Sequence, residues 1–113
     1  MSPSPAAQAA AAPGESPAYV VFFKEATHDQ AALARYKAQV GASFAGREVV
    51  VLAAYGEQEV LEGPPTEGVV ILAFPSMQAA REWYRSPDYQ AAARHRFQGA
   101  SYRAVIVAGR TPM

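Results

Sequence analysis

The stretch from Val69 to Arg96, VVILAFPSMQAAREWYRSPDYQAAARHR, changes its period twice, and those changes decide the fold. It opens on VVILAF, an unbroken apolar run rich in β-branched side chains and short enough for a strand buried on both faces. Pro75 stops that strand, predicted over about 68–74. Ser76 supplies an N-cap oxygen, and helical spacing follows over about 77–85. Ser86-Pro87 then breaks the helix and restarts it. Ser is a second N-cap, and Pro takes the first helical position, where its missing N–H costs nothing. The second piece runs to about Phe97, with Gly99 beyond it.

The same alternation extends in both directions. YRAVIVAG predicts a last strand at about 102–108, and AYVVFFKEA a first strand at about 18–25. Thr27 and Gln30 have the spacing of a capping box. Leu33, Tyr36, Val40 and Phe44 then recur every three or four residues, which predicts a helix over about 28–45. Gly46 suits the left-handed position after it. Gly41 lies inside that helix at a cost of about 1 kcal/mol relative to Ala, for which a close approach of helix to sheet is one reason. REVVVLAAYG predicts a second strand at about 48–55, and Glu59–Leu61 a short extended piece before Gly63-Pro64-Pro65. The order β-α-β-β-α-β, with its second helix split, is the ferredoxin-like plan of the α+β class: two helices on one face of a four-stranded antiparallel sheet.

Residues 17–110 form one domain on this reading. Residues 1–16, rich in Ala, Pro, Ser and Gly, read as a disordered tail, and 111–113 as a short C-terminal tail. The first segment lacks the basic n-region and Leu-rich stretch of a secretory signal. No apolar run is long enough to span a bilayer. The expectation is a cytoplasmic protein with no membrane partner.

The strands do not alternate as a half-wet antiparallel sheet should. Val20 to Phe23, Val49 to Ala54, Val69 to Phe74 and Ala104 to Ala108 are apolar without a break. Successive residues point to opposite faces, so the face away from the helices is apolar too. A second copy related by a two-fold axis is the simplest cover. Lys24, near the strand end where it can reach water, places Val20 and Phe22 on that open face.

VVILAFPS, the helix bearing Ala80, Trp83 and Tyr84, the SPDYQ restart and the earlier LEG together resemble the domain of unknown function 1330 family over roughly 18–109. The resemblance implies a ferredoxin-like fold pairing sheet to sheet as a homodimer, as in the dimeric α/β barrel group. That group includes cofactor-less monooxygenases, isomerases, haem enzymes and proteins of no known activity. It also implies a pocket between sheet and helices. Relatives often carry a Gly-Gly pair before the second strand, where this chain has FAGREVV.

The chemistry is sparse. Ten basic and ten acidic residues balance, which gives no general pull toward nucleic acid. With no cysteine, thiol catalysis and thiolate metal sites are excluded. His28 and His95 show no zinc-binding spacing, and haem ligation by His95 has nothing further to recommend it. No nucleophile elbow, phosphate loop or dinucleotide glycine pattern is present. Tyr19, Val21 and Phe23 share a strand parity, but the aromatic motif of an RNA-recognition domain is missing. Met77, Ala80 and Tyr84 share a helical face flanked by Trp83. Tyr89, Ala93 and Phe97 recur every four residues toward the sheet, and Asp88 suits the positive end of its helix.

Two functions follow. The first is a cofactor-less enzyme or binder of a small apolar or aromatic metabolite, with Tyr36, Tyr55, Trp83 and Tyr84 lining the pocket and His28 as candidate general base. The second is a non-catalytic dimeric module that binds a ligand or partner. No bound cofactor and no metal are expected in either.

Overall fold

The computed structural model describes residues 16–110. The two predicted tails lie outside the described residues, apart from Ser16. The elements run in the expected order: β1 Ala18–Thr27, α1 Gln30–Val40, a 3-10 turn Gly41–Phe44, β2 Val50–Ala54, β3 Gly68–Phe74, α2 Met77–Arg85, α3 Pro87–Gly99 and β4 Ala100–Ala108. The sheet is antiparallel throughout in the order β2-β3-β1-β4, the ferredoxin-like topology. Glu59–Leu61 forms no strand and belongs to the loop between β2 and β3.

Register assigns the faces. Val20 pairs with Leu72 and Ile106, Phe22 with Val70 and Ala104, and Lys24 with Gly68 and Tyr102. Val20 and Phe22 are 1% and 3% exposed and belong to the core with Trp83 and Tyr89, so this parity faces the helices. The expectation that it was the open face is corrected. Lys24 does share their parity, but it meets its need for a polar partner on the helix side, where its Nζ lies 3.6 Å from Glu67 Oε1. The open face carries Tyr19, Val21 and Phe23, with Val69 and Ile71 of β3 and Val105 and Val107 of β4.

Trp83 sits in the middle of the core rather than at its flank. It is 0% exposed, 4.1 Å from the Tyr89 ring and 5.4 Å from the rings of Phe44 and Phe74. Its indole N–H donates to Ser43 Oγ at 2.9 Å, and Ser43 donates to the Val40 carbonyl at 2.6 Å. That chain satisfies a polar atom which burial would otherwise leave costly.

Helix ends follow local chemistry with one correction. Ser76 accepts from the Ala79 N–H, and Ser86 accepts from the Tyr89 N–H while donating to the Trp83 carbonyl. The cap of α1 is Asp29, not Thr27: its Oδ1 accepts from the N–H groups of Ala31 and Ala32. Thr27 is still part of β1, and its hydroxyl donates to Glu67 at 2.6 Å. Gly41 marks the tightening of α1 into the 3-10 turn, with nothing within 4 Å of where a Cβ would stand, so it serves no close approach. The close approach is at Gly99. A Cβ there would lie 2.9 Å from the Leu33 backbone nitrogen, and the Gly99 carbonyl accepts from the N–H groups of His28 and Asp29 at 2.7 and 3.0 Å. The last residue of α3 thereby anchors the start of α1.

The buried face of α3 reads Tyr89, Ala92, Ala93, Arg96, Gly99. Phe97, expected toward the sheet, is 55% exposed, and Arg96 is 4% exposed in its stead.

Candidate functional site

A cavity of about 160 Å³ lies between the sheet and α1, a volume that suits one aromatic ring. Its floor is Phe22, Val70 and Leu72, and Trp83, Val40 and Phe44 close the apolar end. A bulge between Val51 and Ala53 turns both Val51 and Ala54 toward it. The exposed lining residues, Lys37, Val51, Ala54 and Tyr55, mark the mouth between α1 and the edge strand β2.

Tyr55 sits at that mouth under strain. Its φ of 58° is left-handed, uncommon for a residue with a bulky side chain. The conformation lays the ring over Gly68, where any Cβ would collide with it. Its hydroxyl is 2.6 Å from that of Tyr102, and the Nζ atoms of Lys37 and Lys24 lie 5.4 and 5.6 Å from its ring centroid.

A second tyrosine pair lies deeper. The hydroxyls of Tyr36 and Tyr89 are 3.1 Å apart. In each pair two O–H groups share one hydrogen bond, which leaves one proton free to donate elsewhere. Burial pushes the Tyr36, Tyr89 and Tyr102 hydroxyls above the ordinary tyrosine value, against the opposing positive charge of Arg96. These phenols are therefore donors, not bases, at neutral pH.

Arg96 stands behind this cluster. Its guanidinium carbon lies 5.1 Å from the Phe22 ring centroid, 5.0 Å from Tyr102 and 4.8 Å from Phe97, and its positive charge acts on the nearby Tyr89 hydroxyl. Its Nε has no hydrogen-bond partner among the described residues. No carboxylate pairs with it among the described residues.

Of the residues proposed from sequence, Tyr36, Tyr55 and Trp83 line the cavity. Tyr84 does not. It packs 5.3 Å from the Tyr89 ring and faces a separate depression with Val20, Ala104 and Ile106. His28 is outside the lining as well; its Nε2 is 2.7 Å from Ser101 Oγ at the exposed start of α1. His95 faces Gln39 at 3.2 Å. Sequence reasoning missed Lys37, Tyr102 and Arg96. Tyr102 was legible once β4 was in register, since it shares the parity of Ala104 and Ile106. Arg96 stands seven residues after Tyr89, two turns along the same helical face. The described residues hold no group of three or more His, Asp or Glu able to bind a metal, and the cavity lining carries neither imidazole nor carboxylate. No helix among them is long and apolar enough to cross a membrane.

Solved structures share the fold. A protein of unknown function from Rhodopseudomonas palustris is 22% identical, with 87% of this chain and 85% of that chain covered and a TM-score of 0.69. A dimeric ferredoxin-like protein of unknown function from Thermobifida fusca is 12% identical, with 86% and 94% covered and a TM-score of 0.58. SnoaB, a cofactor-independent oxygenase from Streptomyces nogalater, is 14% identical, with 88% and 98% covered and a TM-score of 0.51. No curated protein matches the sequence. The family model that matches, over residues 17–110, is the domain of unknown function DUF1330, and the chain belongs to that family.

Proposed function

We propose that the protein binds a small aromatic molecule in the sheet–helix cavity of each subunit of a homodimer. The observation that carries the binding reading is the cavity itself: an apolar slot of about 160 Å³ walled by Phe22, Phe44 and Trp83, with tyrosine O–H groups at one end. Binding is favoured over catalysis, because the lining offers no carboxylate or imidazole and its buried tyrosines hold their protons. His28 keeps a role as general base only if a ligand extends to Ser101, well outside the lining.

The dimer reading rests on the open face. Val105 and Val107 are each half exposed, beside Val21, Phe23, Val69 and Ile71. Full burial of such a side chain gains about 1.5–3 kcal/mol, and covering these half-exposed or less exposed ones gains a fraction of that each. The patch has the anatomy of an interface. Its end is charged, with Arg103 Nε 3.3 Å from Glu25 and the Arg103 guanidinium 5.1 Å over the Phe23 ring. The dimeric relative from Thermobifida fusca is consistent with the pairing.

Thermal denaturation with benzene, phenol and benzoate tests the binding reading. A probe at a hundredfold excess over its Kd adds about 2.7 kcal/mol of stability. Val70→Trp fills the slot and should abolish the shift. If no ring compound moves the wild-type Tm, the cavity is not a binding site.

A further inference from the structure

We infer that the ligand of this cavity is an aromatic carboxylate, its ring against Trp83 and Phe44 and its anionic group at the tyrosine end beside Lys37, with Arg96 behind the rings. The inference rests on the binding reading above and adds the charge of the ligand.

The cavity wall is almost wholly apolar, and charged side chains gather around one end of it. Across the sheet, the Leu72–Val51 pair is followed by Val70 with Phe22, and then by Gly68 with Lys24 and Tyr102. The first row belongs to the apolar end. The last row meets Tyr55, and Lys24 and Lys37 both lie over the Tyr55 ring. Arg96 backs the same end from inside, stacked behind Tyr102 and Phe22, which line the cavity. Three cations thus converge there. Of these three, only Lys24 has a carboxylate partner among the described residues, Glu67.

Arg96 is the telling member. A cation that is 4% exposed, with an unpartnered Nε and no carboxylate, is an uncompensated buried charge. Such a charge is costly unless an anion or several acceptors answer it. The rings of Phe22, Phe97 and Tyr102 supply only part of that. An anion against the tyrosine hydroxyls would accept the one free proton of each pair and face Arg96 across the rings. Lys37, exposed at the mouth with no carboxylate partner, would contact it directly. A neutral ring compound would leave all of these unanswered.

Isothermal titration of the full chain with benzoate and with benzamide, its neutral near-isostere, tests this. Benzoate should bind about tenfold more tightly or better, with an affinity that falls as salt rises. Lys37→Gln changes an exposed side chain and should leave the fold intact. It should weaken benzoate several-fold and benzamide much less, so that the preference narrows. Arg96→Met should erase the preference and Arg96→Lys retain part of it, with circular dichroism confirming that each is folded. Equal affinities, or binding of neither probe, would overturn the carboxylate assignment, and the binding reading falls with it only if benzene and phenol also leave Tm unmoved. A benzoate preference that survives Lys37→Gln and a folded Arg96→Met would place the anion elsewhere and overturn the inference.

Discussion

Single side chains carry two kinds of burden in this protein, and Trp83 shows the first. Its indole N–H depends on Ser43, itself 2% exposed, so Ser43→Ala strands a buried donor. Urea melts should show a loss of about 1–3 kcal/mol, and a neutral result would mean that another acceptor replaces the hydroxyl. The second burden is the proton. Tyr36, Tyr89 and Tyr102 have folded values raised by burial, while the unfolded chain ionises near pH ~10. The folded state therefore holds protons that the unfolded state releases. The stability this represents is fully present below pH ~10 and is lost as pH rises beyond it. In an absorbance titration at alkaline pH, these three phenols should ionise only as the circular dichroism signal collapses. Ionisation of all six tyrosines with the fold intact would contradict the buried clusters.

At the scale of elements, the split second helix is held by one residue used twice. Ser86 accepts from Tyr89 N–H and donates to the Trp83 carbonyl, closing α2 and opening α3. Ser86→Ala should cost about 0.5–2 kcal/mol, measured by denaturant melts. The α1–α3 contact depends on Gly99, where a Cβ would press on the backbone of Leu33. Gly99→Ala should destabilise by about 1–3 kcal/mol and shift Tm accordingly. An unchanged Tm would show that the helices separate freely at that point.

For the molecule as a whole, the decisive property is what covers the open sheet face. The proposed pairing predicts a particle of about 24 kDa by light scattering, twice the 12.0 kDa chain. Val105→Asp places a charge on the half-exposed open face and should remove the soluble dimer. Val20→Asp buries a charge at a 1% exposed core site and should prevent folding whether or not the protein pairs. The contrast between the two variants separates assembly from folding. A stable wild-type monomer at micromolar concentration would end the pairing proposal.

Element order and type were legible in the sequence because they rest on local chemistry. Pro75, the Ser76 and Ser86 caps, Pro87 and the β-branched runs act within a few residues of themselves. Face and partner were not legible in that way. Doubly apolar strands carry no alternation to orient them, and Lys24, the residue used to orient β1, finds Glu67 under the helices, forty-three residues further along the chain. The α1 cap went to Asp29 rather than Thr27 because β1 extends through Thr27 to pair with Ala100. At the site, aromatic content pointed to Tyr36, Tyr55 and Trp83, which are apolar enough to read as pocket walls. Arg96 was hidden because a charge in sequence reads as surface. Only the convergence of Phe22, Tyr89 and Tyr102, brought together from two strands and a helix, gives a guanidinium a reason to be buried.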